Sequence, residues 1–161
     1  MKKIILLISI SITYLYSHCQ IPCGIFDDVR NIIEIDEKII TIEKAINNIN
    51  QLSGKKKLTS HDHNQLTRWI NLKDEHVNSI QNTMGSYFLA QRIKPKDEKD
   101  NGYNKYVNLT TTCQKIIFVS MKTKQNIDLS FTAELKQLVE NFSNLYFDEH
   151  GLNHLNQYKN K

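Results

Sequence analysis

Apolar residues recur at intervals of three and four along most of this chain, which places them on one face of an α-helix. The first series predicts a helix from about Val29 to Ser53, with Asp27 or Asp28 as its N-cap and Gly54 as its stop. Its apolar positions are Val29, Ile32, Ile33, Ile39, Ile40, Ile46 and Ile49. Isoleucine is only a middling helix former, yet no alternating, strand-like pattern competes over this length, so the pattern favours a helix.

Three further series predict three further helices. The second begins at the cap Ser60 and ends before Pro95, and Gly85 inside it indicates a close approach of two helices. The third spans about residues 106–124, and the fourth runs from the cap Ser130 to Tyr146. Their inward-facing candidates are Leu66, Trp69, Ile70, Val77, Ile80, Met84, Tyr87, Phe88, Ile93, Val107, Cys113, Ile116, Ile117, Met121, Phe131, Leu135, Leu138, Val139, Phe142, Leu145 and Tyr146.

Four amphipathic helices joined by short connections pack most simply as a four-helix bundle. The sequence therefore predicts an all-α fold, with the bundle at residues 29–147 and a polar, frayed tail at residues 148–161. A bundle by itself does not indicate a function.

The first 17 residues have the character of a secretory signal peptide. Lys2 and Lys3 precede an apolar run from Ile4 to Ile12, and the segment closes with the small residue Ser17. The apolar run is too short to span a membrane. Cleavage after Ser17 would make His18 the first residue of an exported protein, either periplasmic or secreted.

Without this leader the chain keeps 19 basic and 17 acidic residues, because Lys2 and Lys3 leave with it. The remaining lysines are scattered rather than arranged in a stripe, which argues against a nucleic-acid partner. We also expect no stable membrane association.

The segment that would follow cleavage, His18-Cys19-Gln20-Ile21-Pro22-Cys23-Gly24, concentrates metal-binding groups. A free α-amine, an imidazole and two thiols lie within six residues. Pro22 and Gly24 are the residue types that a sharp turn between the two cysteines requires. Residues 18–28 are called the hook below.

Two interpretations of the cysteines follow from these residues. In an oxidising compartment Cys19 and Cys23 would ordinarily form a disulfide. Alternatively, the α-amine, the backbone nitrogen of Cys19 and the two thiolates form a square-planar set, which suits Ni(II) or Cu(II) better than tetrahedral zinc. Strong thiolate and amidate donors would also stabilise a higher oxidation state, with the His18 imidazole as an axial ligand.

The hook resembles that of the nickel-containing superoxide dismutases, whose motif is His-Cys-x-x-Pro-Cys-Gly-x-Tyr. His18, Cys19, Pro22, Cys23 and Gly24 all match in register. The resemblance implies a four-helix bundle assembled as a homohexamer, a nickel ion as cofactor and superoxide as substrate, disproportionated to O₂ and H₂O₂. It also implies that His18, Cys19 and Cys23 are both the catalytic residues and the nickel ligands.

The resemblance extends to one residue beyond the hook and fails at another. Glu34 lies at the spacing from His18 at which the family has a glutamate that holds the ligand histidine, and Arg68 or His76 would support it. Phe26 stands where the family has tyrosine, so the ring is kept and the hydroxyl is lost. For this reason a secreted helical protein that binds nickel or copper without turnover remains the alternative.

Overall fold

The computed structural model describes residues 27–159, so the leader and residues 18–26 of the hook lie outside the described residues. Over that range the chain is helical and forms no strand. The helices are α1 at Asp28–Ser53, α2 at Ser60–Asn82, a π-helix at Thr83–Arg92 that continues α2, α3 at Tyr103–Gln125, α4 at Ser130–Tyr146 and α5 at Glu149–Lys159.

Helices α1 to α4 form a four-helix bundle, as the apolar spacing predicts. Helix α1 packs against α2 and α4, and α3 closes the ring by packing against the same two helices. The bundle core is apolar and continuous, and its fully buried members include Ile32, Ile35, Ile39, Ile42, Ile46, Val77, Ile80, Met84, Phe88, Ile116, Leu135 and Phe142. The prediction of an all-α fold is therefore confirmed.

Both ends of α1 follow the sequence prediction. The Asp27 side chain accepts a hydrogen bond from the backbone N–H of Arg30 at 2.9 Å, which makes Asp27 the N-cap. Gly54 ends the helix, and its N–H donates to the carbonyl of Asn50 at 3.0 Å. Ile40 is the exception on the predicted apolar face, because it is 61% exposed while its neighbour Ile39 is buried.

The caps of α2 and α4 differ from the prediction. Thr59, not Ser60, caps α2, and it forms a reciprocal capping box with Asp62. Lys55 donates to the same Asp62 carboxylate at 2.6 Å, and these bonds hold the pKa of Asp62 far below its usual range. At α4 the Asp128 side chain, rather than that of Ser130, satisfies the first turn by accepting from the Ser130 N–H at 2.8 Å.

Gly85 does not mark a close helix contact, which corrects the expectation from sequence. A Cβ at this position would meet only the Ile117 side chain, at an ordinary 3.9 Å. The glycine that the backbone does require is Gly102, which has a φ of 91° immediately before α3.

Residues 149–159 form a packed helix, so the expectation of a frayed tail is also corrected. Leu155 of α5 is 3% exposed and joins the bundle core, and α5 lies against α1. The Lys159 Nζ pairs with the Asp36 carboxylate of α1 at 2.7 Å. A single well-placed leucine and one ion pair are too weak a sequence pattern to predict this packing. Among the described helices, none combines the length and the apolarity of a membrane span.

A buried lysine connects α2 to the end of α3. The Lys73 side chain is 3% exposed, and its Nζ donates to the carbonyl of Thr123 at 3.2 Å and to that of Lys124. The Asp74 carboxylate accepts a further bond at 2.8 Å. Lys73 therefore satisfies carbonyls in the last turn of α3 that have no partner within their own helix.

Replacing Lys73 by methionine should lower the free energy of unfolding by about 2 kcal/mol, because the stem keeps its packing while the α3 carbonyls lose their donor. Denaturant unfolding followed by circular dichroism measures the change. Lys115→Met, on the exposed face of α3, is the matched control and should change stability by less than about 0.5 kcal/mol. A Lys73→Met protein as stable as this control would contradict the role of Lys73 as a stabilising donor to the α3 carbonyls.

Candidate metal centre

The predicted nickel ligands His18, Cys19 and Cys23, together with Phe26, lie outside the described residues, so their ligation stays a prediction. Their donor set fits nickel, because thiolates with amine and amide nitrogens favour the square-planar geometry that Ni(II) adopts. Within residues 27–159 the structure brings together no group of three or more His, Cys, Asp or Glu side chains able to hold a metal ion. Cys113 is fully buried, and burial raises the pKa of its thiol to about 12, so it is the inert core residue that the sequence predicts.

The structure describes the point at which the hook joins the bundle. Asp27 is the last residue before α1, and two bonds fix its position. Its carboxylate accepts from the Arg30 N–H, and its carbonyl accepts from the Asn31 side chain at 2.9 Å. The chain therefore enters α1 from a defined place, four residues after Cys23.

Asp28, the first residue of α1, is the acceptor at the centre of a half-buried polar cluster. Tyr87 donates to its Oδ1 at 2.6 Å and Tyr146 donates to its Oδ2 at 2.8 Å. Arg92 binds both oxygens, with Nε at 2.9 Å from Oδ1 and Nη2 at 2.6 Å from Oδ2. The Asp28 side chain is only 15% exposed. We call Asp28, Tyr87, Arg92 and Tyr146 the Asp28 clamp; it joins the start of α1 to the π-helix and to the last residue of α4.

The π-helix is what brings Tyr87 and Arg92 to the same carboxylate. These residues are five apart, and in an α-helix they would point about 140° away from one another around the axis. In a π-helix the hydrogen bond runs between residues five apart, so such residues lie nearly one above the other. The bond from the Ile93 N–H to the Phe88 carbonyl, at 2.9 Å, has this spacing.

Aromatic packing holds the rings of the two clamp tyrosines in place. The fully buried Phe88 ring meets the rings of Tyr87, Phe142 and Tyr146 edge-on, with centroids 5.0, 5.0 and 5.4 Å away. Tyr146 also stacks on Phe142 at 5.4 Å. Edge-on and offset contacts at these distances are the favoured aromatic geometries, so both tyrosine hydroxyls are held in place by their rings.

The surroundings of Asp28 favour an ionised carboxylate paired with the Arg92 guanidinium. Burial alone would raise the pKa of Asp28, but hydrogen bonds from Arg92, Tyr87 and Tyr146 more than offset it and leave that pKa below its usual value. Burial, with the adjacent carboxylate, raises the pKa of Tyr146 to about 12 and that of Tyr87 further. Asp28 is therefore ionised and both phenols are protonated donors at neutral pH.

Glu34, the predicted partner of the ligand histidine, lies on a different face of α1 from Asp28. Its carboxylate pairs with Arg30 at 3.1 Å and with Lys38 at 3.5 Å, and its side chain is 44% exposed. Neither Arg68 nor His76 is among its ion-pair partners in the described part of the chain. Glu34 comes seven positions after Asp27, so both lie near the same helix face, about 10 Å apart along the axis.

Sequence reasoning missed most of the clamp. Asp28 was interpreted as a cap candidate, Arg92 was not identified, and Tyr87 and Tyr146 were assigned to the core. The available signal was a lone arginine at the end of an apolar helix pattern. Its partner is 64 residues away in sequence, and helical periodicity does not indicate such pairs.

The clamp predicts a specific pH dependence of stability. Because the pKa of Asp28 is lowered by folding, its contribution is present above the usual carboxyl pKa, about 4, and is lost as the pH falls through the lower value of the folded state. Asp28→Asn should therefore lower the free energy of unfolding by about 2 kcal/mol at pH 7. The difference from the unsubstituted protein should shrink below pH 4, as thermal melts at a series of pH values would show.

Asp36→Asn is the matched control. Asp36 lies on the same helix as Asp28, and the substitution breaks its more exposed ion pair with Lys159 of α5. It should cost less than about 1 kcal/mol. A penalty for Asp28→Asn that stays constant from pH 7 down to pH 2.5 would show that the carboxylate charge is not what the clamp uses.

Comparison with known proteins identifies the family. Residues 14–150 match the family model of nickel-containing superoxide dismutase, a range that includes the hook, the clamp and helices α1 to α4. No curated protein and no solved structure matches the chain. The family match covers most of the chain and agrees with the observed helical bundle, so this chain belongs to the nickel-containing superoxide dismutase family.

Proposed function

We propose that the mature form of this nickel-dependent superoxide dismutase begins at His18 and binds nickel through the hook. The ligands would be the α-amine and imidazole of His18, the amide nitrogen and thiolate of Cys19, and the thiolate of Cys23. The observation that carries the proposal is the family match across residues 14–150, a range that includes the proposed ligands His18, Cys19 and Cys23.

The chemistry follows from the donor set. When bound, nickel supplies a one-electron couple between Ni(II) and Ni(III), which oxidises one superoxide to O₂ and reduces the next. With two protons, two superoxide ions give one O₂ and one H₂O₂. Thiolate and amidate donation lowers the potential of that couple, and ligand type and geometry are the means by which proteins tune a metal.

The remaining residues of the site have supporting roles in this proposal. Glu34 would orient the His18 imidazole through its second nitrogen, as carboxylates commonly do for ligand histidines. Its position on the same face of α1 as Asp27 supports this role, because a hook that folds back from Asp27 runs along that face. Phe26 would pack beside the site without donating a hydrogen bond. Solvent or other groups must therefore supply both the hydrogen bond to the incoming superoxide anion and the protons.

Export and assembly belong to the same proposal. The basic, apolar and small-residue sequence of residues 1–17 supports secretion to the periplasm or the exterior. The resemblance of the hook to the family motif supports a homohexamer.

The proposed ligands can be tested with the protein expressed so that it begins at His18. Purified under reducing conditions and supplied with Ni(II), it should develop nickel–thiolate absorption and disproportionate superoxide. Cys19→Ser should lose both properties, because one of the two thiolates is removed. Cys113→Ala removes a thiol that is buried in the core and should keep both. Nickel binding without turnover in the unsubstituted protein would favour a metal-binding role instead.

The role of the α-amine gives a separate prediction. A form that retains Ser17 ahead of His18 has the same side chains, but the nitrogen of His18 is then part of a peptide bond. This form should bind nickel more weakly and lack superoxide dismutase activity, as measured by metal titration and by pulse radiolysis. Full activity in the extended form would contradict ligation by the amine.

A further inference from the structure

The geometry points to the Asp28 clamp as the device that positions the hook: Asp28 and Arg92 act on the nickel site through the chain that joins them to it. This inference rests on the proposed function, because it takes the ligand roles of His18, Cys19 and Cys23 from there. Neither Asp28 nor Arg92 would touch the metal, so both are positioning residues.

The chain between the proposed ligand Cys23 and the clamp is short. Only Gly24, Ile25, Phe26 and Asp27 separate Cys23 from Asp28. Five residues of extended chain span at most about 17 Å, and a turned segment spans less. The position and direction of the first turn of α1 therefore limit where the Cys23 thiolate can lie.

The clamp fixes the first turn of α1. Helix ends fray unless they are held, since their first N–H groups lack partners within the helix. Here the first residue of α1 accepts four hydrogen bonds of 2.6–2.9 Å from two other elements of the bundle. The neighbouring Asp27 caps the same turn. The attachment point of the hook is thus fixed against the ends of the π-helix and α4.

The Asp28–Arg92 ion pair is partly buried, with the two side chains 15% and 29% exposed. The isoleucines of α1 already hold the helix in the bundle from Ile32 to Ile49. A buried ion pair is a poor source of extra stability, since apolar residues of similar volume often serve as well or better. A bidentate arginine–carboxylate pair does supply a fixed relative geometry. The pair lies at the first residue of α1, where the hook joins the helix. A fixed geometry at this residue constrains the position of the proposed nickel ligands.

The π-helix is part of the same device. It presents Tyr87 and Arg92 on one side, which an α-helix would not do, and the buried Phe88 between them anchors the segment in the core. A carboxylate at the start of α1 would otherwise face at most one of these two donors.

The test measures nickel affinity rather than activity alone. The protein beginning at His18 is prepared unsubstituted and as Asp28→Asn, and the Ni(II) dissociation constant is measured by competition with a chelator. Partners that orient metal ligands typically change affinity by 10- to 100-fold. We expect Asp28→Asn to weaken nickel binding by about tenfold, at a temperature where circular dichroism shows it fully folded.

Two control variants separate positioning from general stability. Asp36→Asn breaks an ion pair two turns along α1 from Asp28, and it should leave the dissociation constant within about twofold of the unsubstituted value. Tyr146→Phe removes one of the four bonds and keeps the ring packing. It provides a mild variant should Asp28→Asn fail to fold, and it should weaken nickel binding by a few-fold.

The outcomes are distinct. A folded Asp28→Asn or Tyr146→Phe protein with unchanged nickel affinity would overturn the inference and leave the clamp as a structural contact. Arg92→Lys keeps the charge but loses the bidentate bond, so its affinity should lie between those of the unsubstituted protein and Arg92→Gln. If the unsubstituted protein, with its clamp intact, binds no nickel through thiolates, the proposed function fails, and the positioning role fails with it.

Discussion

The pairing of the half-buried Asp28 carboxylate is the interaction on which one end of this bundle depends. Its partial removal from water favours a paired and hydrogen-bonded carboxylate, because a desolvated charge without a partner is destabilising. Tyr87, Arg92 and Tyr146 all donate to this one carboxylate, so the start of α1, the π-helix and the end of α4 meet at the same place. The π-helix contributes to this meeting, since it brings residues five apart towards a single acceptor.

This arrangement suits a metal site carried on a short segment. The hook is too short to bury a core of its own, so its geometry must come from the metal and from the fold at its attachment. The described structure fixes the attachment at Asp27 and Asp28, while processing would release the other end as a free amine. Under the proposed function, removal of residues 1–17 would itself create a metal ligand.

The sequence predicted the parts of the structure that depend on local pattern. The apolar spacing in α1 and the stop at Gly54 gave that helix almost to the residue, and the four-helix arrangement followed from the number of such series. Thr59 rather than Ser60 caps α2 because a helix boundary shifts easily by one residue when neighbouring side chains can both act as caps. The π-helix was not predictable, since a pattern based on 3.6 residues per turn does not detect hydrogen bonds between residues five apart. The packing of α5 depends on Leu155 meeting α1, a tertiary contact with little local signal.

The candidate site also has a part that depends on local sequence and a part that depends on tertiary contacts. The ligand motif is local, so the assignment of His18, Cys19 and Cys23 as ligands comes from their spacing and their place after the leader, and it stays a prediction. The clamp joins residues 59 to 118 positions apart, and only the folded chain brings them together. The spacing from His18 selects Glu34. It does not indicate the pairing of Glu34 with Arg30 and Lys38 of its own helix, because the expected partner, Arg68 or His76, lies on α2.

On the proposed function, the amino group of His18, created by processing, is a nickel ligand. N-terminal sequencing combined with metal analysis of the protein purified from its natural source tests this ligand. We expect His18 as the first residue and nickel in equimolar amount with the chain. A nickel-containing protein whose chain begins upstream of His18, or a metal-free protein with a disulfide between Cys19 and Cys23, would contradict it.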